Sequence, residues 1–270
     1  MKMRRILAAV LGAFLLLSGC IDTNTKVTLK SDGSGTIEKT IILSRHLAEL
    51  MISIGTKGDA ASIEKGMLNE DTLKAGAARM GTGVSFVSAR KVSADKGNGW
   101  KALYSFKDIS KVKISQNPAV DLTIPGAATN AAAAATDKES LSFTFARGTS
   151  ATFTVAFPKP DQAARPASGA PTAGADNEKL LAQMRQLYSD MRIVLTIDVD
   201  GTILQTNAAY VSGSTVTLLD MDFSKILADD ATYRKLTAAQ GKSMTEVREM
   251  VKAVPGVKIE TQDPVSIKFK

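Results

Sequence analysis

The chain has 270 residues, 34 Lys and Arg against 27 Asp and Glu, 44% hydrophobic residues, 5% aromatic residues and one cysteine. Setting aside residues 1–19, which hold three basic residues and no acidic one, leaves 31 basic against 27 acidic. They are interspersed, without basic runs or interleaved aromatics, which speaks against nucleic acid as a partner. A single cysteine excludes an intramolecular disulfide, so the fold must be held by its core, and a chain of this length buries roughly 70–75% of its unfolded surface.

In chain order, Lys2, Arg4 and Arg5 precede an apolar run over 6–17 that is interrupted only by Gly12. The run is too short for a stable bilayer span and has the layout of a signal peptide. It ends in Leu17-Ser18-Gly19-Cys20, which resembles the lipobox of bacterial lipoproteins. That resemblance implies cleavage between Gly19 and Cys20, a thioether-linked diacylglycerol on Cys20, and a mature chain outside the cytoplasm. Two or more acyl chains make such an anchor stable. Ile21, in place of the aspartate that resembles an inner-membrane retention signal, implies the outer membrane, facing the periplasm, if the organism is Gram-negative.

After a lipidated tether over 20–25, Val27 and Leu29 alternate with polar residues, Asp32-Gly33-Ser34-Gly35 supplies turn chemistry, and Ile37, Ile41 and Leu43 continue in extended alternation, predicting a β-hairpin. Ser44 caps a predicted helix with Leu47, Leu50, Met51 and Ile54 on one face. Asn69 caps a second, through Leu73, Ala77 and Met80 to Gly81. Strands are predicted over 84–92 and 100–106, joined around 95–99. An Ala-rich stretch over 126–138 and an Ala/Pro/Gly-rich stretch over 161–177 have the composition of mobile loops or linkers. Between them, Leu141, Phe143 and Phe145, then Phe153, Val155 and Phe157, form the apolar face of a hairpin turning at Gly148, with helices expected to cover it. A helix follows from Asp176 or Asn177 through Leu180, Met184, Leu187 and Met191.

Ile193, Leu195, Ile197 and Val199 predict a strand, leading to 202–206 and, after Ser212-Gly213-Ser214, to 215–221. A capping box, Ser243-Met244-Thr245-Glu246, opens a last helix that Pro255-Gly256 stops, and 265–269 closes as a strand. The pattern is α+β, a mostly antiparallel sheet with helices packed on one face, in one domain whose parts are 26–160 and 178–270.

The sharpest chemical motif is Ile197-Asp198-Val199-Asp200-Gly201-Thr202 at the end of a predicted strand. It resembles the first signature of haloacid-dehalogenase-type phosphatases, which implies Asp198 as nucleophile, Asp200 as acid/base and a shared Mg²⁺. That fold needs several further βα units. Only 68 residues follow Thr202, opening with hairpin patterning, and Asp229-Asp230 alone mimics the later acidic pair. A wet-face strand with Gly201 in a turn or bulge is the alternative. His46, the only histidine, stands in the first turn of a predicted helix without a cysteine or histidine partner, as a surface residue does. Trp100, the only tryptophan, reads as a core or edge-strand anchor. No cofactor site is indicated.

The lipobox, the strand–Asp32-Gly33-Ser34-Gly35–strand unit, and Gly201-Thr202-Ile203-Leu204-Gln205-Thr206-Asn207 followed by Ser214-Thr215-Val216-Thr217 together look like the LppM-type lipoprotein domain. Asp200, Ala208 and Leu218 depart from that family's usual Pro, Gly and Trp. The resemblance implies a hairpin around Gly201, a helix-on-sheet envelope domain and a non-catalytic role in handling amphiphiles. The expected function is a membrane-anchored envelope lipoprotein that binds an envelope protein or an amphiphilic lipid.

Overall fold

Strict alternation from Ile21 sends every second side chain to one face, because successive residues of a strand point to opposite sides. In the computed structural model, which describes residues 21–45, 49, 52, 59–115, 140–158, 191–228 and 254–270, this segment is β1 (Ile21–Leu29). It pairs antiparallel with β2 (Gly35–Ser44), from Ile21 opposite Leu43 to Leu29 opposite Gly35. The Asp32 carboxylate closes the turn between them, accepting from the Ser34 backbone N–H at 2.9 Å and the Ser34 hydroxyl at 2.6 Å. The hairpin is as predicted but starts earlier. Residues 21–25, expected as tether, are strand, with Thr23 and Thr25 turned inward and buried.

Leu47, Leu50, Met51 and Ile54 of the helix predicted from Ser44 lie outside the described residues, and two short helices are described after it. α1 (Ala60–Met67) is capped by Asp59, whose carboxylate accepts from Ser62 N–H at 2.8 Å, and α2 (Glu70–Arg79) by Asn69, whose side chain accepts from Thr72 N–H at 2.9 Å. α2 matches its prediction; α1 is not among the predicted helices. Leu73 and Ala77 face inward, and the buried Tyr104 hydroxyl donates to the Leu73 carbonyl at 3.0 Å, tying α2 to the sheet. β3 (Val84–Ala94) and β4 (Gly97–Phe106) form the predicted pair around a tighter turn, Asp95–Lys96, with a bulge at Val87.

β5 (Ile114–Ser115), β6 (Ser140–Ala146) and β7 (Ala151–Ala156) come next, then β8 (Arg192–Val199), β9 (Ile203–Thr206), β10 (Val211–Ser212), β11 (Thr215–Asp222), α3 (Phe223–Ala228), β12 (Val257–Ile259) and β13 (Val265–Phe269). They build two sheets. The eight-stranded one runs β10-β11-β8-β1-β2-β4-β3, with β12 also on β11; the five-stranded one runs β5-β6-β7-β13-β9. Among the described residues every strand pair is antiparallel except β1 with β8. The fold is α+β and mostly antiparallel, with few helices among the described residues.

Both sheets contribute to one core. Val27, Leu29, Ile37, Ile197 and Val216 from the large sheet cluster with Phe143, Phe153, Val155, Ile267 and Phe269 from the small one. The hairpin over 141–157, expected to be covered by helices, thus closes against a second sheet. Its aromatic face matches another apolar sheet face of similar extent, which the short helices do not provide.

The chain crosses between the sheets three times in its last third. The first crossing is at Gly201, where the sequence suggested a hairpin; instead β8 pairs with β1 and β11, while β9 pairs with β13. Gly201 has φ +158°, and a Cβ there would lie 2.3 Å from the Lys270 carbonyl oxygen, because Thr202 and Lys270 exchange backbone hydrogen bonds across it. The second is the return from β9 to β10, and the third runs from β12 to β13. No helix among the described residues is long and apolar enough to cross a membrane.

Candidate functional site

Asp198 sits near the end of β8 on the face of the large sheet turned away from the core, opposite Thr28 of β1 and Thr215 of β11. Its carboxylate is fully engaged. The Lys26 ammonium lies 2.7 Å from Oδ2, while the Ser214 and Thr215 hydroxyls donate to Oδ1 at 2.7 and 3.1 Å. Partial burial by itself raises the Asp198 pKa, but the Lys26 contact and the two hydroxyl bonds outweigh it and hold the carboxyl below the usual aspartate range. Asp200 lies beyond the strand, exposed, with its backbone N–H bonded to the Leu29 carbonyl at 2.8 Å.

Among the described residues the phosphatase constellation is not assembled. β8 is followed by a sheet-to-sheet crossing and a hairpin strand, with no crossover helix. Among the described residues no group of three His, Cys, Asp or Glu side chains could hold a metal ion. Both Asp198 oxygens have partners, Lys26 of β1 on Oδ2 and Ser214 and Thr215, at the start of β11, on Oδ1. Asp198 therefore acts as a clip joining the parallel β1–β8 pair to β11. Replacing it by Asn is expected to leave a folded chain, and no Mg²⁺-dependent phosphomonoester turnover is expected to disappear with it. Because the folded-state pKa is depressed, the stabilisation from ionised Asp198 is present above the unfolded value, about 3.9, and is lost as pH falls through the folded one. Urea unfolding of the two proteins should show a stability gap at pH 7 that closes in strong acid.

The same face carries further cross-strand ion pairs. Lys101 meets Glu38 at 2.7 Å, and Arg192 forks onto Asp220 with both contacts at 3.0 Å. Such part-exposed pairs are worth about 0–1 kcal/mol each, so they set register more than stability. Near the start of β1, burial pushes the Asp22 carboxyl above the usual aspartate range against the opposing pull of Lys96 and Arg192.

Trp100 lies opposite Ile41, partly buried against the core, with the Lys91 ammonium 5.8 Å from its ring centroid, as a core-edge anchor does. Cys20, Gly19, His46, Asp229-Asp230, the helices from Asp176 or Asn177 and from Ser243, and the stretches 126–138 and 161–177 lie outside the described residues.

One residue that the sequence did not single out ties the crossings together. Glu260 is fully buried; its carboxylate accepts from Ala209 N–H at 2.7 Å, Thr261 N–H at 2.8 Å and Gln262 N–H at 2.9 Å, while its own N–H donates to Leu218 at 2.9 Å. Asn207 does similar work, accepting from Ser266 N–H at 2.7 Å and donating to the Pro264 carbonyl at 3.0 Å.

The molecule is thus a two-sheet α+β domain whose most conspicuous carboxylates, Asp198 and Glu260, are structural fasteners. No family model and no curated protein matches the chain. Among solved structures it is similar to the NMR structure of the folded domain of LppM from Mycobacterium tuberculosis, at 11% identity over 94% of this chain and 91% of that one, with a TM-score of 0.35.

Proposed function

We propose that the mature chain is a lipid-anchored envelope protein whose domain binds a partner without catalysis, the partner being an envelope protein or an amphiphilic lipid. The observation that carries this is Cys20, the single cysteine of the chain, placed at the end of a basic, then apolar, then small-residue leader. The engaged state of Asp198 supports a binding or structural role. Outer-membrane residence, facing the periplasm, goes with Ile21 if the host is Gram-negative.

The test is Cys20→Ala in the full chain, followed by fractionation and mass analysis of the N-terminus. The wild-type chain should sediment with membranes and carry acyl mass on Cys20. The variant should lose both. A wild-type chain that is soluble with an unmodified cysteine would defeat the proposal. Crosslinking of the anchored protein should then retrieve an envelope protein, or solvent extraction a bound lipid.

A further inference from the structure

We infer that the domain stands end-on against the membrane, with the end of the eight-stranded sheet at which β1 begins seated among phospholipid headgroups. This rests on acylation of Cys20 as proposed above. The geometry follows from the absence of slack. Ile21 is the first residue of β1, already paired with Leu43 and fully buried. Its Cα lies one peptide unit, about 3.8 Å, from that of Cys20. The interfacial layer of one leaflet is about 5–8 Å deep. Acyl chains inserted in the hydrocarbon therefore place the β1 start inside that layer.

Among the described residues, the sheet register determines what comes with it. Ser44 at the end of β2 pairs with Gly97, so the Asp95–Lys96 turn lies at this end, and Arg45 N–H donates to the Lys96 carbonyl at 3.2 Å. Arg192 at the start of β8 and Asp222 at the end of β11 are paired there too, with Phe223 N–H bonded to the Met191 carbonyl at 3.1 Å. Arg45, Asp95 and Lys96 are exposed, as is Lys225, whose ammonium also meets Asp222 at 3.5 Å. This mixture of cations and carboxylates suits a zwitterionic layer, with guanidinium and ammonium groups meeting phosphodiesters and Asp95 meeting headgroup amines. The turn over 30–34 and the β10–β11 turn lie at the far end, about 27 Å away along nine residues of strand.

The lone native cysteine makes the test clean, because an introduced cysteine is then the only free thiol in the acylated protein. Asp95→Cys and Ser31→Cys, both in exposed turns, are labelled with a nitroxide in the full lipidated chain. The protein is placed in phosphatidylcholine–phosphatidylethanolamine vesicles doped with a nickel-chelating lipid. Collisional relaxation by the headgroup nickel should be at least tenfold stronger at position 95 than at position 31. A six-residue Gly/Ser insertion between Cys20 and Ile21 should bring the two towards equality while the protein still sediments with the vesicles. Equal relaxation at both positions in the acylated, sedimenting protein without the insertion would overturn the docking and leave the anchor standing. A chain that neither sediments nor carries acyl mass would overturn both.

Discussion

Phe153→Ala should lower the unfolding free energy by about 3–5 kcal/mol, read as a shift of the urea midpoint at unchanged slope. Phe153 is fully buried on β7, beside Phe145 of β6 and Ile267 of β13, and its ring stacks on Phe143 with centroids 5.6 Å apart. It lies where the small sheet closes on the large one, so truncation removes contacts on both sides and leaves a void that strand backbones held in two ladders cannot collapse. Phe153→Leu, which keeps most of the volume, should cost less than about 1.5 kcal/mol. A loss under 1 kcal/mol for the alanine variant would mean that this face is not sealed by the second sheet, and would reopen the space between the sheets as a site for an amphiphile.

Glu260→Ala should cost about 3 kcal/mol, from the desolvation of donors left without an acceptor. Three backbone N–H groups converge on this one carboxylate. Two belong to the stretch leading from β12 to β13 and one to the stretch leading from β9 to β10, so the side chain fastens two of the three inter-sheet connections. Glu260→Gln retains one acceptor oxygen and should lose roughly half as much. Amide exchange should show Ala209, Thr261 and Gln262 opening in the alanine variant before the strands themselves. An alanine variant as stable as wild type, with those amides still protected, would show that the crossings are held by Asn207 and the backbone alone.

Much of the fold is legible in local chemistry. The Asp32 turn, the Asn69 cap and the alternation at 141–145, 153–157 and 193–199 are decided by neighbours within a few residues, so β1–β2, α2, β6–β7 and β8 follow from the sequence. The start of β1 was misplaced because Thr23 and Thr25 face inward, and a threonine spaced at every second residue has no apolar signature. Asp198 illustrates the opposite difficulty. Its surroundings in sequence match a catalytic signature, and only Lys26 and Ser214, distant along the chain, show that both carboxylate oxygens are occupied.

The sequence by itself determined the α+β class and most of the described strands, because each depends on short-range composition and periodicity. The tertiary structure decided which strands share a sheet, that Gly201 carries the chain from one sheet to the other, and that Glu260 is a buried acceptor. These depend on pairings between residues up to some 170 positions apart, such as Thr28 with Asp198. Period-two alternation specifies which face of a strand is buried but carries no information about the strand beside it.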